Sequence, residues 1–382
     1  MELKEDKTIL SNLAFKDFFE EKKDLSMWLS MDLLEALEGR RAAQEVEKQI
    51  GFEISGNYLT AHLNFNDNDI TLDTKVTTND ELAAFLSENN IWRNDYNKEI
   101  LNFLPAQNHA AIGVSVDTRT IIDYINERAE MEQVNQESES KLDLSLDEIV
   151  NSFGGSIAFS VSDFRKVKYT YQSYGSTYNP EKYRRYNSYT GKYYYDGGYD
   201  YGQIEKEKEE LLPIMGLTAG INSDLFIRKI IEKVPEDLLV PTRNYYSFKL
   251  DNQYPAYLAF NEKAILITND KKSVRVFSDG GMTNNLSNTD CGREISESMM
   301  YAAAGLDLSN YGEELENSIL TNNSSDQEKI YNSWNKMMEK IELKQREVNS
   351  FNLTLKFKKS DENSLKTILD MLDQNFKSFA AL

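Results

Sequence analysis

Four short runs of apolar and small residues, each typical of a β-strand, end at an aspartate that begins a helical stretch. The aspartates are Asp32, Asp117, Asp224 and Asp307, at intervals of 85, 107 and 83 residues. The longest interval contains an insertion, and without it the spacing is nearly regular. Such self-similarity constrains the whole architecture. Aspartate is also a common helix N-cap, so internal duplication and chance recurrence both stay open, and both give an α+β chain.

Each junction is followed by helical periodicity and then by alternating, strand-like runs. In the first unit, runs 58–65 and 70–76 flank a polar turn, which predicts a β-hairpin. In the last unit, a helical run at 330–341 precedes a strand at 351–357 and a helix at 364–372. We therefore predict an α+β fold of mainly antiparallel sheets with packed helices, built from about four strand–helix–hairpin–helix units. The predicted segments are 1–105, 106–240 with a tyrosine-rich insertion at 169–201, and 241–382.

Two of the repeated strands are rich in small residues. Ala111, Gly113 and Ser115 alternate along one of them, and the other contains Ala302 and Gly305. Small side chains let a covering helix approach the sheet closely, so we expect these two strands to be central.

The charge balance excludes some partners. The chain has 63 acidic and 43 basic residues, a formal charge of −20. A field of that sign repels nucleic acids and anionic lipids, so we expect no nucleic-acid partner. No apolar run approaches the roughly 20 residues of a membrane-spanning helix, which predicts no transmembrane segment. Cys291 is the only cysteine and therefore forms no internal disulfide.

The tyrosine-rich insertion reverses this charge locally. Residues 169–201 contain 12 of the 22 tyrosines, interleaved with glycine, serine and asparagine. Seven basic and three acidic residues lie between Arg165 and Tyr201, so the segment is about +4 on an acidic chain. Frequent glycine and few aliphatic residues predict a long hairpin that frays into a mobile loop.

This insertion supplies the candidate binding residues. Tyrosine rings offer flat apolar faces with a hydrogen-bonding tip, and arginine can meet anionic groups. The predicted partner is a glycan or another protein; the alternative is a solvated, low-complexity spacer. The candidate binding residues are Tyr183, Arg184, Arg185, Tyr186, Tyr193, Tyr194, Tyr195 and Tyr199.

The sequence contains no catalytic or cofactor motif. His62 alternates with apolar residues and is expected to face solvent from a strand, and His109 precedes the second repeated strand. No phosphate loop, dinucleotide glycine pattern or nucleophile elbow is present, and no spacing singles out a carboxylate pair for hydrolysis. We therefore predict no catalytic residue, no metal ligand and no cofactor.

Three stretches are similar to a known family. Residues 14–28, 350–357 and 363–366 resemble the domain-of-unknown-function 4836 (DUF4836) family of Bacteroidetes envelope proteins. The resemblance implies a secreted, lipid-anchored precursor and an extracytoplasmic location. The first six residues lack the apolar core of a signal peptide, so we expect the sequence to start inside a longer precursor. The resemblance implies no activity and no site residues.

Three functions fit these observations. The leading hypothesis is a non-enzymatic extracytoplasmic scaffold or binding protein that contacts a glycan or an envelope protein through the basic, tyrosine-rich loop. A carboxylate-dependent hydrolase with an acidic pair dispersed among the units is the first alternative. A structural self-assembly protein is the second.

Overall fold

The computed structural model describes residues 12–21, 23–32, 39–50, 53–126, 131–250, 254–307, 311, 334–358 and 362–380. The chain forms two compact units. The first compact unit comprises Met1–Asp163 with Ile214–Leu382, and the second compact unit comprises Phe164–Pro213.

The described strands form an antiparallel sheet, and two of them, β5 and β6, continue from the first unit into the second. The sheet order is β1-β2-β3-β13-β12-β11-β4-β5-β6-β10-β9-β8-β7. The strands are β1 (Leu25–Ser30), β2 (Tyr58–Phe65), β3 (Asp69–Thr77), β4 (Ala110–Ser115), β5 (Phe153–Asn187), β6 (Lys192–Ile221), β7 (Val240–Pro241), β8 (Tyr246–Leu250), β9 (Tyr254–Phe260), β10 (Ala264–Thr268), β11 (Met300–Gly305), β12 (Met338–Glu347) and β13 (Ser350–Phe357).

Helices alternate with these strands along the chain. They are α1 (Leu13–Glu20), α2 (Arg40–Ile50), α3 (Asp80–Glu88), α4 (Thr118–Asn126), α5 (Met131–Leu142), α6 (Leu146–Asn151), α7 (Leu225–Lys233), α8 (Lys271–Phe277), α9 (Asp290–Glu297) and α10 (Ser364–Ala380), with a 3₁₀ helix at Lys98–Phe103. Helices beside a large antiparallel sheet confirm the predicted α+β class.

The four repeated aspartates have different local roles. Asp117 caps α4, because its Oδ1 accepts the main-chain N–H groups of Arg119 and Thr120 at 2.9 and 3.3 Å. Asp224 precedes α7 but does not cap it, since its carboxylate accepts hydrogen bonds from the side chain of Arg228 instead.

The other two aspartates join distant parts of the chain. Asp32 accepts the hydroxyl of Ser55 and the N–H of Gly56 at 2.9 and 3.0 Å. Asp307 forms an ion pair with Lys358 at 2.6 Å. The helices predicted to follow these two aspartates fall outside the described residues, apart from the first helical residue, Asp32 itself.

The strand pairing shows a recurring order. β1, β4 and β11 each pair antiparallel with the next strand of the chain, β2, β5 and β12 respectively. This order resembles the predicted strand–helix–hairpin unit, and internal duplication stays a prediction. Strands from all three predicted segments join this sheet, and the segment boundaries at 105 and 240 also stay a prediction.

The small residues of β4 and β11 have the expected place. These strands are neighbours in the middle of the sheet order. A Cβ on Gly113 would lie 2.2 Å from Cγ2 of Ile295, so only glycine lets α9 pack this close. The main hydrophobic core lies here and includes Ile100 and Leu101 of the 3₁₀ helix, both fully buried, together with Tyr301.

One predicted helix is wrong at its end. Residues 338–341 belong to strand β12, whereas the sequence pattern predicted a helix through 341. β12 carries Ile341 and Leu343 in alternation with the charged Glu342 and Lys344. The start of that predicted helix, 330–333, lies outside the described residues.

Candidate functional site

The tyrosine-rich insertion is a two-stranded ribbon. β5 runs to Asn187 and β6 begins at Lys192, so only four residues form the turn. Gly191 in this turn has a φ of +63°, a left-handed conformation that glycine adopts without steric cost. The predicted hairpin is present. The residues expected to form a loop are strand residues, because the two strands pair along their length.

The two faces of this ribbon can be assigned from its cross-strand contacts. Side chains alternate between the faces of a strand. The rings of Tyr178 and Tyr199 lie 5.4 Å apart, and those of Tyr186 and Tyr193 lie 5.0 Å apart. Even-numbered residues of β5 therefore share a face with odd-numbered residues of β6.

The side chains that lie opposite the glycines identify the residues of the other face. A Cβ on Gly175 would touch Ile204, and a Cβ on Gly198 would touch the ring of Tyr183. Odd-numbered residues of β5 therefore share a face with even-numbered residues of β6. Glycine in a strand leaves room for a large cross-strand side chain.

One face concentrates the aromatic residues. Between residues 174 and 204, all of which the structure describes, it carries seven tyrosines, Lys182 and Arg184, and no carboxylate. We name it the tyrosine face. Each of its tyrosines is more than half exposed: Tyr174, Tyr178, Tyr186, Tyr193, Tyr195, Tyr199 and Tyr201.

The opposite face, which we name the acidic face, carries the three carboxylates of this stretch. Arg185 pairs with Asp196 at 3.0 Å. Asp200 accepts a hydrogen bond from Asn179 at 3.0 Å. Lys182 reaches Asp200 around the strand at 2.9 Å, and its ammonium, with Asn179, holds the pKa of Asp200 below its usual range. Between residues 174 and 204 this face therefore carries three carboxylates against two cations, Arg185 and Lys192.

Arg184 has a different environment on the tyrosine face. Its guanidinium lies 4.3 Å from the centroid of the Tyr193 ring, a cation–π contact. That contact holds a cation beside an exposed aromatic ring.

The structure divides the predicted binding residues between the faces. Five lie on the tyrosine face: Arg184, Tyr186, Tyr193, Tyr195 and Tyr199. Three lie on the acidic face: Tyr183, Arg185 and Tyr194. The prediction did not include Tyr174, Tyr178 and Tyr201, which share the tyrosine face. The sequence signal for these three tyrosines was the two-residue period of a strand. The prediction of a loop does not use that period, because a loop has no fixed faces.

A second candidate site is a cleft of about 700 Å³ in the first unit, over strands β2, β3, β12 and β13. Three of its sixteen lining residues are the aromatics Phe18, Trp28 and Phe351, and the others are polar or charged. Asn352 donates to Asp73 across neighbouring strands at 2.6 Å. The cleft therefore has a polar floor that sequence reasoning did not predict.

His62 lies in this cleft, and its predicted solvent-facing position is wrong. Only 8% of the residue is exposed, because α1 places the ring of Phe18 at 5.0 Å from the imidazole. Its Nδ1 is 2.9 Å from the hydroxyl of Ser26, and its Nε2 is 3.2 Å from a carboxylate oxygen of Glu21. Both ring nitrogens therefore have polar partners.

His109 lies in a different environment. It is also 8% exposed, and its ring stacks on Tyr311 at 3.9 Å. Burial lowers the pKa of His109, which favours the neutral imidazole.

The comparisons with known proteins identify a family. A family model described as Domain of unknown function (DUF4836) matches residues 1–365. The chain belongs to the DUF4836 family. No curated protein matches the chain, and no solved structure matches it.

Among the described residues of this DUF4836 protein, the most buried carboxylate is that of Glu342, which takes part in structural ion pairs. Glu342 accepts hydrogen bonds from Tyr301 at 2.6 Å, Lys340 at 2.8 Å and Lys356 at 2.7 Å. Burial raises the pKa of Glu342, but these three donors outweigh burial and lower it to about 2. A carboxylate that stays ionised at neutral pH has no proton to donate as the general acid of a glycosidase.

Two other kinds of reactive group in this DUF4836 protein are the Cys291 thiol and the side chains that commonly bind metals. Burial raises the pKa of the Cys291 thiol to about 11, which disfavours the reactive thiolate. Within the described ranges, no three His, Cys, Asp or Glu side chains cluster closely enough to hold a metal ion. The described helices include none long and apolar enough to span a membrane.

Proposed function

We propose that this protein is an extracytoplasmic binding protein that contacts a glycan through the tyrosine face of its ribbon. The observation that carries the proposal is the segregation of seven well-exposed tyrosines onto one carboxylate-free face. Exposed aromatic rings normally occur singly on a soluble protein, and a contiguous set of them marks an interaction surface.

The chemistry of this face suits a sugar chain. Flat rings can pack against the apolar C–H faces of sugars, while phenol hydroxyls bond sugar hydroxyls at low entropic cost. Arg184, beside the Tyr193 ring, adds a cation for an acidic sugar, and the carboxylates that would repel such a sugar lie on the other face. The envelope location is part of the proposal and derives from the family resemblance.

The test compares two double variants that each replace two tyrosines with serine. Tyr193→Ser/Tyr195→Ser removes rings from the tyrosine face, and Tyr183→Ser/Tyr194→Ser removes rings from the acidic face. Each protein is immobilised, and its binding of purified envelope polysaccharides is measured. We expect the first variant to lose at least about tenfold in affinity, as for the loss of aromatic stacking elsewhere, and the second to stay within about twofold.

Three outcomes would contradict the proposal. Equal losses of affinity in both variants would show that binding does not depend on the tyrosine face. Polysaccharide binding that neither variant changes would place the site elsewhere. Binding only to an envelope protein, with the same dependence on the tyrosine face, would replace the glycan with a protein partner.

A further inference from the structure

The geometry points to a second, unassigned activity: Ser26, His62 and Glu21 form an acyl-transfer site for a short-chain ester of a hydroxyl-rich alcohol. All three residues belong to the first unit, and the inference does not depend on the ribbon. Ser26 would be the nucleophile and His62 the general base. Glu21 would be a positioning residue that acts through His62.

The sheet register brings the first two groups together. Ser26 on β1 and His62 on β2 are direct cross-strand partners. The main-chain N–H of Met31 bonds the carbonyl of its partner Asn57, so these two residues form a hydrogen-bonded pair. Hydrogen-bonded and non-hydrogen-bonded pairs alternate along antiparallel strands, so Ser26 and His62 form a non-hydrogen-bonded pair. Side chains of such pairs lie closest together, and here the Ser26 hydroxyl is 2.9 Å from Nδ1 of His62.

The third group fixes the tautomer. Glu21 directly follows α1, and its carboxylate is 3.2 Å from Nε2 of His62. The carboxylate places a negative charge 3.2 Å from Nε2, which favours a proton on that nitrogen, so the proton is assigned to Nε2 and the lone pair to Nδ1. Nδ1 can then accept the proton of Ser26, which is the arrangement that activates a serine nucleophile. The ring of Phe18, at 5.0 Å, packs against the imidazole and limits its rotation.

The edge of the sheet supplies a donor for the oxyanion. β1 is the first strand in the sheet order, and the register directs the N–H groups of Ser26 and Trp28 away from β2. Within the part of the chain that the structure describes, neither N–H has a partner. The nucleophile's own N–H can therefore bond the oxygen that becomes negative as the acyl carbon turns tetrahedral.

The reaction balances without a cofactor. The hydroxyl oxygen of Ser26 attacks the ester carbonyl carbon while its proton passes to Nδ1 of His62. The bond from that carbon to the alcohol oxygen then breaks, and the proton on Nδ1 transfers to the leaving alcohol. Water, deprotonated by the same nitrogen, hydrolyses the acyl-serine to a carboxylic acid and restores Ser26.

The neighbouring cleft indicates the substrate class. His62, Glu21 and Trp28 form part of its wall, so it begins beside Ser26. Its floor carries Thr60 and Asn352 among mainly polar and charged groups, which suit an alcohol rich in hydroxyl groups. Because only three lining residues have large apolar side chains, the cleft offers little surface for a long acyl chain.

The test uses a small ethoxy fluorophosphonate, which bonds through phosphorus to an activated serine and releases fluoride. We expect one label per chain, mapped by mass spectrometry to Ser26. Ser26→Ala should abolish labelling, and His62→Gln should slow it at least about 100-fold, the usual contribution of a general base. Glu21→Ala should slow labelling, and Glu21→Asp should restore part of the rate.

Matched controls separate chemistry from folding. Ser30 lies on the same face of β1, but its hydroxyl donates to Asp32 at 2.9 Å, so Ser30→Ala should label at the wild-type rate. The double variant of the tyrosine face should also label normally, which keeps this test independent of the glycan proposal. Ser26 is exposed, so Ser26→Ala should fold with an unchanged melting temperature.

The same experiment can overturn the inference. Absence of labelling in the folded wild-type protein would do so. Labelling at another serine, or labelling of Ser26 at an unchanged rate in His62→Gln, would also do so. Hydrolysis of p-nitrophenyl acetate that disappears in Ser26→Ala would support the inference independently.

Discussion

The contribution of a single charged residue to the free energy of unfolding depends on how deeply it is buried. Glu342 is 4% exposed at its side chain and is held by two lysines and a tyrosine. Breaking a buried ion pair leaves uncompensated charge in a poorly solvated site, which costs far more than breaking a surface pair. Glu362, paired with Lys366 one helical turn away, represents the exposed case. The two glutamates therefore make a matched comparison.

Replacing Glu342 with glutamine should lower the free energy of unfolding by about 3 kcal/mol, because Lys340 and Lys356 lose their buried counter-charge. Urea-induced unfolding followed by circular dichroism measures the loss. Glu362→Gln should have no measurable effect. Equal effects of the two variants would show that the Glu342 cluster is not a buried ion-pair centre.

The same residue predicts a dependence of stability on pH. The pKa of Glu342 is about 2 in the folded protein and near 4.3 in an unfolded chain. The folded state therefore binds fewer protons, and the contribution of Glu342, roughly 3 kcal/mol, is complete above pH ~5 and falls as the pH drops toward 2. Unfolding free energies at pH 7 and pH 3 should differ more in the wild-type protein than in Glu342→Gln. The same difference in both proteins would assign the acid sensitivity to other groups.

At the scale of helices and strands, the sequence predicted the type of an element better than the residues at which it begins and ends. Strand alternation predicted β2, β3 and β13 with small errors. The helix predicted through residue 341 failed because β12 has charged residues on one face, where Glu342 and Lys344 meet partners from other strands and from α9. No local pattern shows that such charges will be paired. Tertiary contacts therefore determine that residues 338–341 form a strand and not a helix.

The aspartate that ends each repeated strand illustrates the same limit. Asp117 and Asp224 have the same sequence context, yet only Asp117 caps a helix with its side chain. Asp117→Ala should cost about 1 kcal/mol of stability through the lost cap. Asp224→Ala should cost less, because it removes an exposed pair with Arg228. Urea titrations of both variants measure this order, and the reverse order would contradict the observed capping geometry.

The candidate sites were predictable to different extents. The composition of residues 169–201 identified the ribbon, since tyrosine and basic residues are concentrated there. Its faces needed the strand register, which a segment treated as a loop does not have. The cluster of Ser26, His62 and Glu21 could not be predicted, because 36 residues separate Ser26 from its cross-strand partner.

At the scale of the whole molecule, the two compact units differ in how much apolar surface their described residues bury. Neither cluster of buried residues in the described chain contains a residue from 164–213. Core burial supplies most of the stability of a domain, so the ribbon should be energetically separate from the body of the protein.

Replacing residues 169–201 with a short turn should therefore change the melting temperature by less than about 2 °C, which corresponds to under about 1 kcal/mol for a domain of this size. Differential scanning calorimetry gives the value. A drop of more than about 5 °C would show that the ribbon stabilises the first unit. The shortened protein should also lose polysaccharide binding and keep its labelling at Ser26.

The most direct test of the binding proposal is tyrosine nitration with and without the bound polysaccharide, quantified residue by residue by mass spectrometry. Bound glycan should slow nitration of Tyr193, Tyr195 and Tyr199 on the tyrosine face. Tyr183 and Tyr194, on the acidic face, should react at unchanged rates. Equal protection of both faces, or protection only of Tyr183 and Tyr194, would contradict the account.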